Sequence, residues 1–382
     1  MLKKVSKFVK ENFKLVIFLC IWFMLASTGV YAANTIYSKN VTYDNSKSGL
    51  SATNVQDALD ETYNKCMPTA ADKIINLYND GSSINTVHIG GDTSNPQVYL
   101  NSTQGIMLDN NGNYRYYGAD PNNYVTFNDE TWRIIGAFHN IDDGTGIRET
   151  RLKIIRDESI GSYSYGSSSS SVNSGRGVND WSKSDLMTEL NTLYYNSTSG
   201  ICYSGLNDAT RNCDFTSIGL DSTARNMINE AVYYLGGNST TDGLYADDFY
   251  NYERGTKVYK CYSDDGTNDG ACPRAVTWTG KIGIMYPSDY LYATDLSLCI
   301  QDGFNYDDST CKNNNWLNIG EEWTIMPYSL RYDYVFLIDN YGNISTYVFA
   351  GHSNDSRPVV YLKSSITITE GTGTSSDPYT LG

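Results

Sequence analysis

Six of the eight cysteines form three neighbouring pairs, and this spacing constrains the fold more than any other feature of the 382-residue sequence. The pairs are Cys202 with Cys213, Cys261 with Cys272, and Cys299 with Cys311. Because each pair brackets a short stretch rich in Gly, Asn and Asp, the spacing favours three local disulfides that close surface loops in an oxidising compartment. Zinc sites usually have cysteines about two to four residues apart or nearby histidines, and these pairs have neither. Other disulfide connectivities remain open.

The N-terminus has the pattern of an export signal. Five lysines precede an uncharged apolar stretch at 15–26, and Val30 and Ala32 provide small residues for cleavage after Ala32. The sequence therefore predicts that residues 1–32 are a signal peptide or, if uncleaved, a membrane anchor, with the rest of the chain outside the cell or at its surface. Removing these residues changes the net charge from −15 to −19, because five Lys and Glu11 are lost. Such an acidic chain is not expected to bind nucleic acid.

Residues 33–66 are predicted to form a polar segment and a short helical stalk. Thr53 and Gln56 fit a capping box, and one helix face carries the apolar or weakly polar side chains Val55, Leu59, Tyr63 and Cys66. This face can either dock on the main domain or support a homo-oligomer through residues 53–66, with Cys66 as a free thiol or an interchain bridge. The stretch 52–61 also resembles short segments of trimeric phage tail-fibre proteins.

The remaining chain is predicted to be an α+β domain at 113–366, preceded by a short helix and linker at 67–112 and followed by a flexible tail at 367–382. Strand patterns include a hairpin with its turn at Asn128 and Asp129. Two central helices are predicted to begin at Ser182 and at Asp221 or Ser222, the second continuing to Gly236. Since strands flank these helices, the terminal strands are expected to meet in one antiparallel sheet.

Several short runs resemble the C-type-lectin-like superfamily, in particular the uncharacterised surface proteins of gut Firmicutes that are related to the Fibrobacter succinogenes paralogous domain. The runs are NNYVTF at 122–127, WRIIG at 132–136, CDFTS at 213–217, MYPSDY at 285–290, WTIMPY at 323–328 and SRPVVYL at 356–362. The resemblance implies an antiparallel sheet with two helices and long disulfide-clipped loops. It also implies that a segment placed like 327–357 displays ligand-contacting side chains.

The same superfamily includes formylglycine-generating enzymes and calcium-dependent sugar-binding proteins, but the residues that these functions require are missing. Every cysteine in the C-terminal half has a nearby partner, and neither a Glu-Pro-Asn nor a Gln-Pro-Asp triplet is present. Residues 179–181 contain Asn, Asp and Trp in the wrong order for the sugar-binding motif. We therefore predict no catalytic residue, no metal and no cofactor.

Other candidate chemistry also has a simpler interpretation. His88 and His139 have no second ligand at a metal-binding spacing, so packing or surface roles are favoured for both. The loops 109–113 and 264–269 are rich in oxygen ligands, yet both differ from the EF-hand pattern and suit Asx turns better than calcium sites.

The segment 328–354 is the predicted ligand-binding face. Tyrosine is unusually frequent in the chain, with 33 copies, and Tyr, Arg and Asn are typical of binding surfaces. The candidate residues are Tyr328, Arg331, Tyr332, Tyr334, Asn340, Tyr341, Asn343, Tyr347, His352 and Asn354. The alternative is that half of these tyrosines pack against the sheet.

The predicted function is that of an exported cell-surface recognition protein, which binds a carbohydrate or protein ligand on another surface without catalysis. A phage tail-fibre-like or adhesin tip that oligomerises through the stalk is the second reading. An extracellular hydrolase is the third, and it would require a cleft with two carboxylates whose pKa values are displaced.

Overall fold

The computed structural model describes residues 41–46, 48, 50–66, 68–80, 83–167, 176–240, 242–255, 260–262, 268–271 and 274–382. The chain divides into one unit that ends at Met67 and a second that begins at Pro68. The predicted signal segment at 1–32 lies outside the described residues. Within the described residues, no helix has the length and apolarity needed to cross a bilayer.

The first unit is built around helix α1 (Val55–Cys66). Asn54, rather than Thr53, caps this helix, because its side-chain oxygen accepts the backbone N–H of Asp57 at 2.9 Å. The Glu61 carboxylate accepts the backbone N–H groups of Ser51 and Ala52, which ties the preceding segment to the helix. Leu59, on the predicted apolar face, is 58% exposed. The side chains of Tyr63 and Cys66 are outside the description.

The second unit begins with helix α2 (Ala70–Asn79), in which Thr69 and Asp72 form a capping box. Its buried Ile74 packs into the core with strands of the main sheet. Strands follow at once: β1 (Ile84–His88), β2 (Gln97–Asn101) and β3 (Ile106–Leu108). The prediction of a linker at 67–112 is therefore wrong beyond the helix, because hydrogen bonding makes these strands part of the main sheet.

The main sheet has eleven strands among the described residues. Besides β1–β3 it contains β4 (Tyr114–Tyr116), β5 (Tyr124–Phe127), β6 (Glu130–Asp142), β7 (Arg148–Arg156), β15 (Ile282–Gly283), β20 (Val359–Tyr361), β21 (Ile368–Glu370) and β22 (Tyr379–Leu381). Its principal order is β1-β2-β3-β4-β6-β5-β22-β21. A branch starts at β6, where β7 pairs with β6, β20 with β7, and β15 with β20. The α+β class is thus confirmed, with strands from both ends of the second unit in one sheet.

The hairpin predicted between β5 and β6 is confirmed. Asn128 and Asp129 have φ values of 58° and 57°, the left-handed conformation that a two-residue hairpin turn requires. The register pairs Phe127 with Glu130 and Val125 with Trp132. Trp132 is fully buried and packs edge-on against Phe127 at 5.0 Å between ring centres, so the turn places two large aromatic side chains in the core.

The predicted flexible tail at 367–382 is instead ordered as β21 and β22. Strand β22 pairs in parallel with β5, joining Tyr379 to Val125, and Tyr379 is buried. The parallel pairing also means that the main sheet is mostly, but not wholly, antiparallel. Such a short strand is stabilised by its distant partner, which its own composition does not reveal.

A second sheet of five strands carries most of the predicted binding segment. Its order is β18-β17-β16-β19-β8. The strands are β8 (Ser162–Ser164), β16 (Glu322–Pro327), β17 (Tyr334–Ile338), β18 (Ile344–Phe349) and β19 (Ser353–Asp355). Three two-stranded sheets pair β9 (Ser199–Gly205) with β10 (Ala209–Asp214), β11 (Ala231–Tyr234) with β14 (Thr277–Gly280), and β12 (Lys260–Tyr262) with β13 (Asn268–Ala271).

The helices of the second unit differ from the two that were predicted. After α2 come the short helices α3 (Asp185–Glu189), α4 (Ser222–Met227), α5 (Ala246–Glu253), α6 (Pro287–Tyr292) and α7 (Ser309–Asn313). Helix α3 starts later than expected, with Ser184 as its cap, and runs into a π-helical turn. Helix α4 ends at Met227, not Gly236, because residues from Ala231 onward pair with β14 instead.

Two of the three predicted disulfides are confirmed, Cys202–Cys213 and Cys299–Cys311. The first joins β9 to β10, and the second clips the loop that leads to α7. The third predicted pair, Cys261 with Cys272, lies outside the described residues, because Cys272 and the side chain of Cys261 are not described.

A network of buried charges connects the main sheet to α6. Arg115 contacts Asp109 at 2.7 Å and Asp289 at 3.0 Å, while Lys153 contacts the second oxygen of Asp289. Although burial acts to raise the pKa of Asp289, the two cations hold it below its ordinary value. Burial lowers the pKa of Lys153 to about 8, although Asp289 opposes this effect.

The loop at 109–113 is an Asx turn, as the sequence favours. The Asp109 carboxylate accepts the backbone N–H groups of Asn111 and Asn113, and Arg115 occupies its other oxygen. Within the described part of the chain, no three His, Cys, Asp or Glu side chains are grouped as a potential metal site. The second oxygen-rich loop falls largely outside the description, since residues 263–267 are not described.

Candidate functional site

The predicted binding residues lie at two ends of the hairpin formed by β17 and β18. Tyr334 starts β17, whereas the turn 339–343 connects it to β18. A five-residue strand spans roughly 15 Å, so one compact ligand cannot contact both ends. Strand β17 itself offers little surface between them, because Val335, Phe336 and Leu337 are all buried. The structure thus divides the single face predicted from the sequence into two patches.

The first patch contains a continuous row of four rings, which we call the aromatic strip: Tyr328, Tyr334, Phe349 and His352. The centres of successive rings are 6.3, 5.0 and 5.8 Å apart. Register explains the central contact, because Tyr334 and Phe349 are paired residues of β17 and β18. The two tyrosines and Phe349 are half-buried and His352 is exposed, so the strip is accessible from solvent.

Two arginines lie over the middle of the aromatic strip. The guanidinium carbons of Arg331 and Arg176 are each 4.5 Å from a ring centre, those of Tyr334 and Phe349 respectively. This distance is typical of cation–π contacts. The side chains of Arg331 and Arg176 are 24% and 32% exposed, so both charged groups reach the surface beside the rings.

The buried carboxylate of Asp333 organises both arginines. Arg331 donates to it from Nε at 2.9 Å and from Nη2 at 2.7 Å, and this hydrogen bonding raises the pKa of Arg331. Arg176 approaches the same carboxylate at 3.9 Å. Asp333 therefore holds the Arg331 guanidinium beside the aromatic strip and lies within ion-pair distance of the Arg176 guanidinium.

Beneath the strip, Asn179 fixes the turn that connects β16 to β17. Its fully buried side-chain amide donates to the carbonyl oxygens of Tyr328, Arg331 and Tyr334, and its backbone N–H donates to Tyr332. Arg274 donates in turn to the side-chain oxygen of Asn179 at 2.8 Å. One amide therefore sets the path of the backbone that carries the first part of the strip.

The second patch is the hairpin tip, formed by Asn340, Tyr341 and Asn343. The Asp339 side chain accepts the backbone N–H groups of Tyr341 and Asn343, which shapes this turn like the one at Asp109. Tyr341 is 70% exposed, and Asn340 donates to Glu321 at 2.8 Å. Because one exposed ring stands among small polar groups, this patch offers less apolar contact area than the aromatic strip.

The other candidates have different surroundings. Asn354 is only 6% exposed, so it holds β19 in place more than it faces solvent. Tyr332 is half-buried beside the strip. The side chain of Tyr347 lies outside the description. Of the ten predicted residues, the structure brings five into or beside the first patch: Tyr328, Arg331, Tyr332, Tyr334 and His352.

Sequence reasoning missed three residues of this patch: Phe349, Arg176 and Asn179. Phe349 lies within the segment 328–354 but is not a Tyr, Arg or Asn, and Arg176 follows a serine-rich stretch of the sequence far from the predicted segment. Asn179 was set aside because it belongs to a sugar-binding triplet in the wrong order. Its many backbone partners show that a motif with no ligand role can still mark an important structural position.

Among the residues that the structure describes, the carboxyl groups with raised pKa values are buried in the interior. Burial raises the pKa of Glu189 to about 8 and that of Glu253 to about 7, and it also raises those of Asp247 and Glu322. Glu322 forms a buried pair with Arg357 at 2.8 Å. These groups belong to the interior, where they affect stability.

The two remaining histidines have local partners. His139 Nδ1 lies 2.8 Å from the Thr150 hydroxyl, and His88 Nδ1 lies 2.8 Å from the Asn95 carbonyl oxygen. Both are in or beside the main sheet. Each therefore has a hydrogen-bonding role that suits the packing or surface function expected from the sequence.

Comparison of the chain with protein-family models, with curated proteins and with solved structures finds no match.

Proposed function

We propose that this chain is an exported, cell-surface recognition protein that binds a carbohydrate or protein ligand through the aromatic strip, without catalysis. The observation that carries the proposal is the row of four accessible rings with two guanidinium groups beside it. Stiff aromatic side chains offer large contact areas at a low entropic cost, and arginine adds directional hydrogen bonds.

The disulfides support the exported location within this proposal. Short-range disulfides such as Cys202–Cys213 and Cys299–Cys311 persist in oxidising compartments. Together with the pattern at 1–32, they favour a secreted chain or one that an uncleaved N-terminal segment anchors in the membrane. Protease protection and fractionation of expressing cells would distinguish these two forms from a chain retained inside the cell.

The C-type-lectin-like assignment is also part of the proposal. Its support is the α+β class and the meeting of early and late strands, β5 and β22, within one sheet. In this reading, the rigid sheets are the frame and the turn before β17 is the variable contact region. An experimental structure compared with C-type-lectin-like domains would test it, and a different strand order would contradict it.

The direct test is binding to glycan arrays and to cell surfaces, measured for the wild type and for Tyr334→Ala and Tyr341→Ala. Tyr334 lies in the strip and Tyr341 at the hairpin tip, so the two variants remove the same side chain from opposite ends of one hairpin. We expect loss of binding only with Tyr334→Ala, provided that thermal melts show both variants folded. Loss only with Tyr341→Ala would move the binding face to the tip, and absence of any binding partner would refute recognition.

One observation favours the second reading, an adhesin or tail-fibre-like tip that oligomerises through α1. Leu59 is 58% exposed on that helix, while its neighbour Ala58 is buried within the first unit. An exposed leucine on a short helix gains free energy when it is covered by another copy. Light scattering of the exported chain should then show a multiple of the monomer mass that Leu59→Ser reduces and Leu298→Ser, at a 53% exposed leucine, does not.

A further inference from the structure

We infer that Lys153 and Asp289 are a modification site, at which the lysine amine and the aspartate carboxyl group condense into an intramolecular amide that cross-links the folded chain. The site is separate from the proposed recognition function, because both residues lie in the core of the second unit and not at the aromatic strip. Three features of the described residues support the inference: the contact between the two groups, the charges around them and their exclusion from water.

The backbone fixes both partners of the contact. Lys153 lies on β7, which pairs with β6 on one side and with β20 on the other. Asp289 lies in the first turn of α6, where its Oδ2 accepts the backbone N–H of Tyr286 at 3.0 Å. Lys153 Nζ is in direct contact with this same oxygen. Reacting groups that are held together in this way behave as if they were present at about 10⁵ M or more, because little entropy is lost in bringing them together.

Arg115 provides the charge that the reaction needs at the other oxygen of Asp289. Its Nη1 donates to Asp289 Oδ1 at 3.0 Å. When the Lys153 amine adds to Cγ, negative charge develops on Oδ1, and a donor that is already in place stabilises this charge as an oxyanion hole does. Asp109 pairs with Arg115 at 2.7 Å. The pair formed by Arg115 and Asp109 therefore stays neutral after the reaction removes the charges of Lys153 and Asp289.

Exclusion of water favours the amide over the ion pair. The side chains of Lys153 and Asp289 are each 1% exposed, and Nζ lies 4.5 Å from the ring centre of Tyr286 and 5.4 Å from those of Phe138 and Tyr361. Burial of two charges is costly even when they are paired. Burial lowers the pKa of Lys153 to about 8, whereas two neighbouring cations outweigh burial and lower the pKa of Asp289. The ion pair is thus the starting state, and it becomes an amine and an acid when one proton passes from Nζ to Oδ2.

The reaction is a condensation that balances without a co-reactant. After the first proton transfer, Lys153 Nζ attacks Cγ of Asp289, the C–N bond forms, and Oδ1 carries the negative charge beside Arg115. The bond from Cγ to Oδ2 then breaks, and Oδ2 leaves as water with two hydrogens that come from the lysine ammonium group. One N–H remains in the amide, and no redox change occurs. Lys153 titrates only in chains that have not reacted.

Glu253 is the group that transfers the second of these protons. Its carboxylate accepts the backbone N–H and the hydroxyl of Ser288, the residue next to Asp289, and it lies close enough to Lys153 and Asp289 to interact with both charges. Burial raises the pKa of Glu253 to about 7, and the charge of Asp289 also raises it. A carboxyl group with a pKa near neutrality can both accept and return a proton, as general acid–base catalysis requires.

The test is mass spectrometry of the intact exported chain after reduction of its disulfides. We expect the measured mass to be lower than that of the unmodified polypeptide by the mass of one water. Trypsin should release a branched peptide in which 152–156 is joined through Lys153 to 282–312 through Asp289, and fragment ions should locate the bond. An unmodified mass, or a lost water that is located within a single peptide, would overturn the inference.

Lys183 and Asp180 are the matched control within the same chain. Their charged groups are 3.2 Å apart, but the Lys183 side chain is 70% exposed, so water should keep this pair ionised. The tryptic peptide 177–183, which contains both residues, should therefore be released at its full mass. Loss of water from this peptide as well would show that contact alone is sufficient, and it would overturn the argument from burial.

The variant Glu253→Gln should slow formation of the amide about a hundredfold or more, because proton transfer by a positioned side chain contributes at least this factor. The rate is measured as the fraction of branched peptide in samples taken at intervals after synthesis, and thermal melts report whether the variant is folded. Glu230→Gln, at a side chain that is 53% exposed, should leave the rate unchanged. Equal rates in the wild type and in folded Glu253→Gln would overturn the proton path through Glu253.

Discussion

The pH dependence of stability offers a sharp test of the buried charges, and Glu253 is the residue to perturb. Its carboxylate is fully buried, accepts the backbone N–H of Ser288 at 2.9 Å and the Ser288 hydroxyl at 2.7 Å, and lies 3.2 Å from Arg254. Burial nevertheless dominates over Arg254 and raises the pKa of Glu253 from 4.5 to about 7. Asp289 has two buried cations instead of one partly exposed partner, and its pKa moves in the opposite direction.

The sign of the effect follows from this raised pKa. Because the folded state holds the Glu253 proton more tightly than the unfolded state, the contribution to stability is present below pH 4.5 and is lost as the pH rises through 7. The full loss is about 3 kcal/mol, of which about 2–3 kcal/mol falls between pH 5 and pH 8. Lys153 has the opposite effect, because burial lowers its pKa from 10.5 to about 8 in the folded state. Its contribution to the free energy of unfolding should therefore increase as the pH rises above 8.

The assay is urea unfolding at pH 5 and at pH 8, followed by tryptophan fluorescence. Trp132, Trp181 and Trp323 are buried in the second unit, so the signal reports on the part of the chain that contains Glu253. Glu253→Gln cannot ionise, and its stability relative to wild type should improve by about 2–3 kcal/mol between the two pH values. The Gln amide also places an N–H donor near Arg254, which lowers the stability of the variant. Because this cost is the same at both pH values, it cancels when the stabilities at pH 5 and pH 8 are compared.

Glu230→Gln is the matched control, since the Glu230 side chain is 53% exposed and its change should leave the pH profile unchanged. If the stability of Glu253→Gln follows the same pH dependence as wild type, the reasoning is refuted. In that case Glu253 would be ionised in the folded protein at pH 5, and Arg254 with Ser288 would outweigh burial.

Three further perturbations test other parts of the fold. The double variant Cys299→Ser with Cys311→Ser should lose about 3 kcal/mol in urea unfolding, and mass spectrometry of unreduced peptides should show the wild-type pair joined. Asp129→Val should cost about 1–2 kcal/mol because a β-branched residue is strained at φ 57°, whereas Asp129→Gly should be close to neutral in thermal melts. Arg357→Met should cost about 3–5 kcal/mol by leaving Glu322 buried without its cation, and adding Glu322→Leu should recover much of that loss.

The features that were predictable from the sequence are those that local chemistry determines. The turn at Asn128 and Asp129 and the disulfide Cys202–Cys213 depend on residues that are close together in the chain. In contrast, β22 exists because it pairs with β5, more than 250 residues earlier. The short polar stretch near the C-terminus carries no sign of that partner, so its composition alone predicts a flexible tail.

The candidate site was predictable in composition but not in arrangement. A list of tyrosines, arginines and asparagines between 328 and 354 does not show that a buried strand separates them into two patches. Burial of both faces of β17 causes this separation, because only Tyr334 at its start remains accessible. Arg176 joins the strip because Gly351 donates its backbone N–H to the Arg176 carbonyl at 2.8 Å, a contact between distant parts of the chain.

The final prediction concerns Asn179, which shapes the aromatic strip from below without contacting the surface. Its amide satisfies three carbonyl oxygens that lie 149, 152 and 155 residues further along the chain. Asn179→Ala removes the two N–H donors that these three oxygens share and the side-chain oxygen that accepts from Arg274. At about 1 kcal/mol for each lost hydrogen bond, the free energy of unfolding should fall by about 2–4 kcal/mol. The turn that carries Tyr328 and Arg331 should also loosen, and ligand affinity should fall although no ligand contact is removed.

Asn191→Ala separates this positioning role from a general loss of stability. Asn191 also donates its side-chain amide to two carbonyl oxygens, but these belong to Met187 and Ile282, which are not residues of the strip, and Asn191 lies on the helical turn after α3. Both variants should melt at lower temperature, whereas only Asn179→Ala should weaken binding under conditions where both are folded. Equal affinities in the two variants would show that the turn holds its shape without Asn179, and the strip would then owe its geometry to the pairing of β17 with β18 alone.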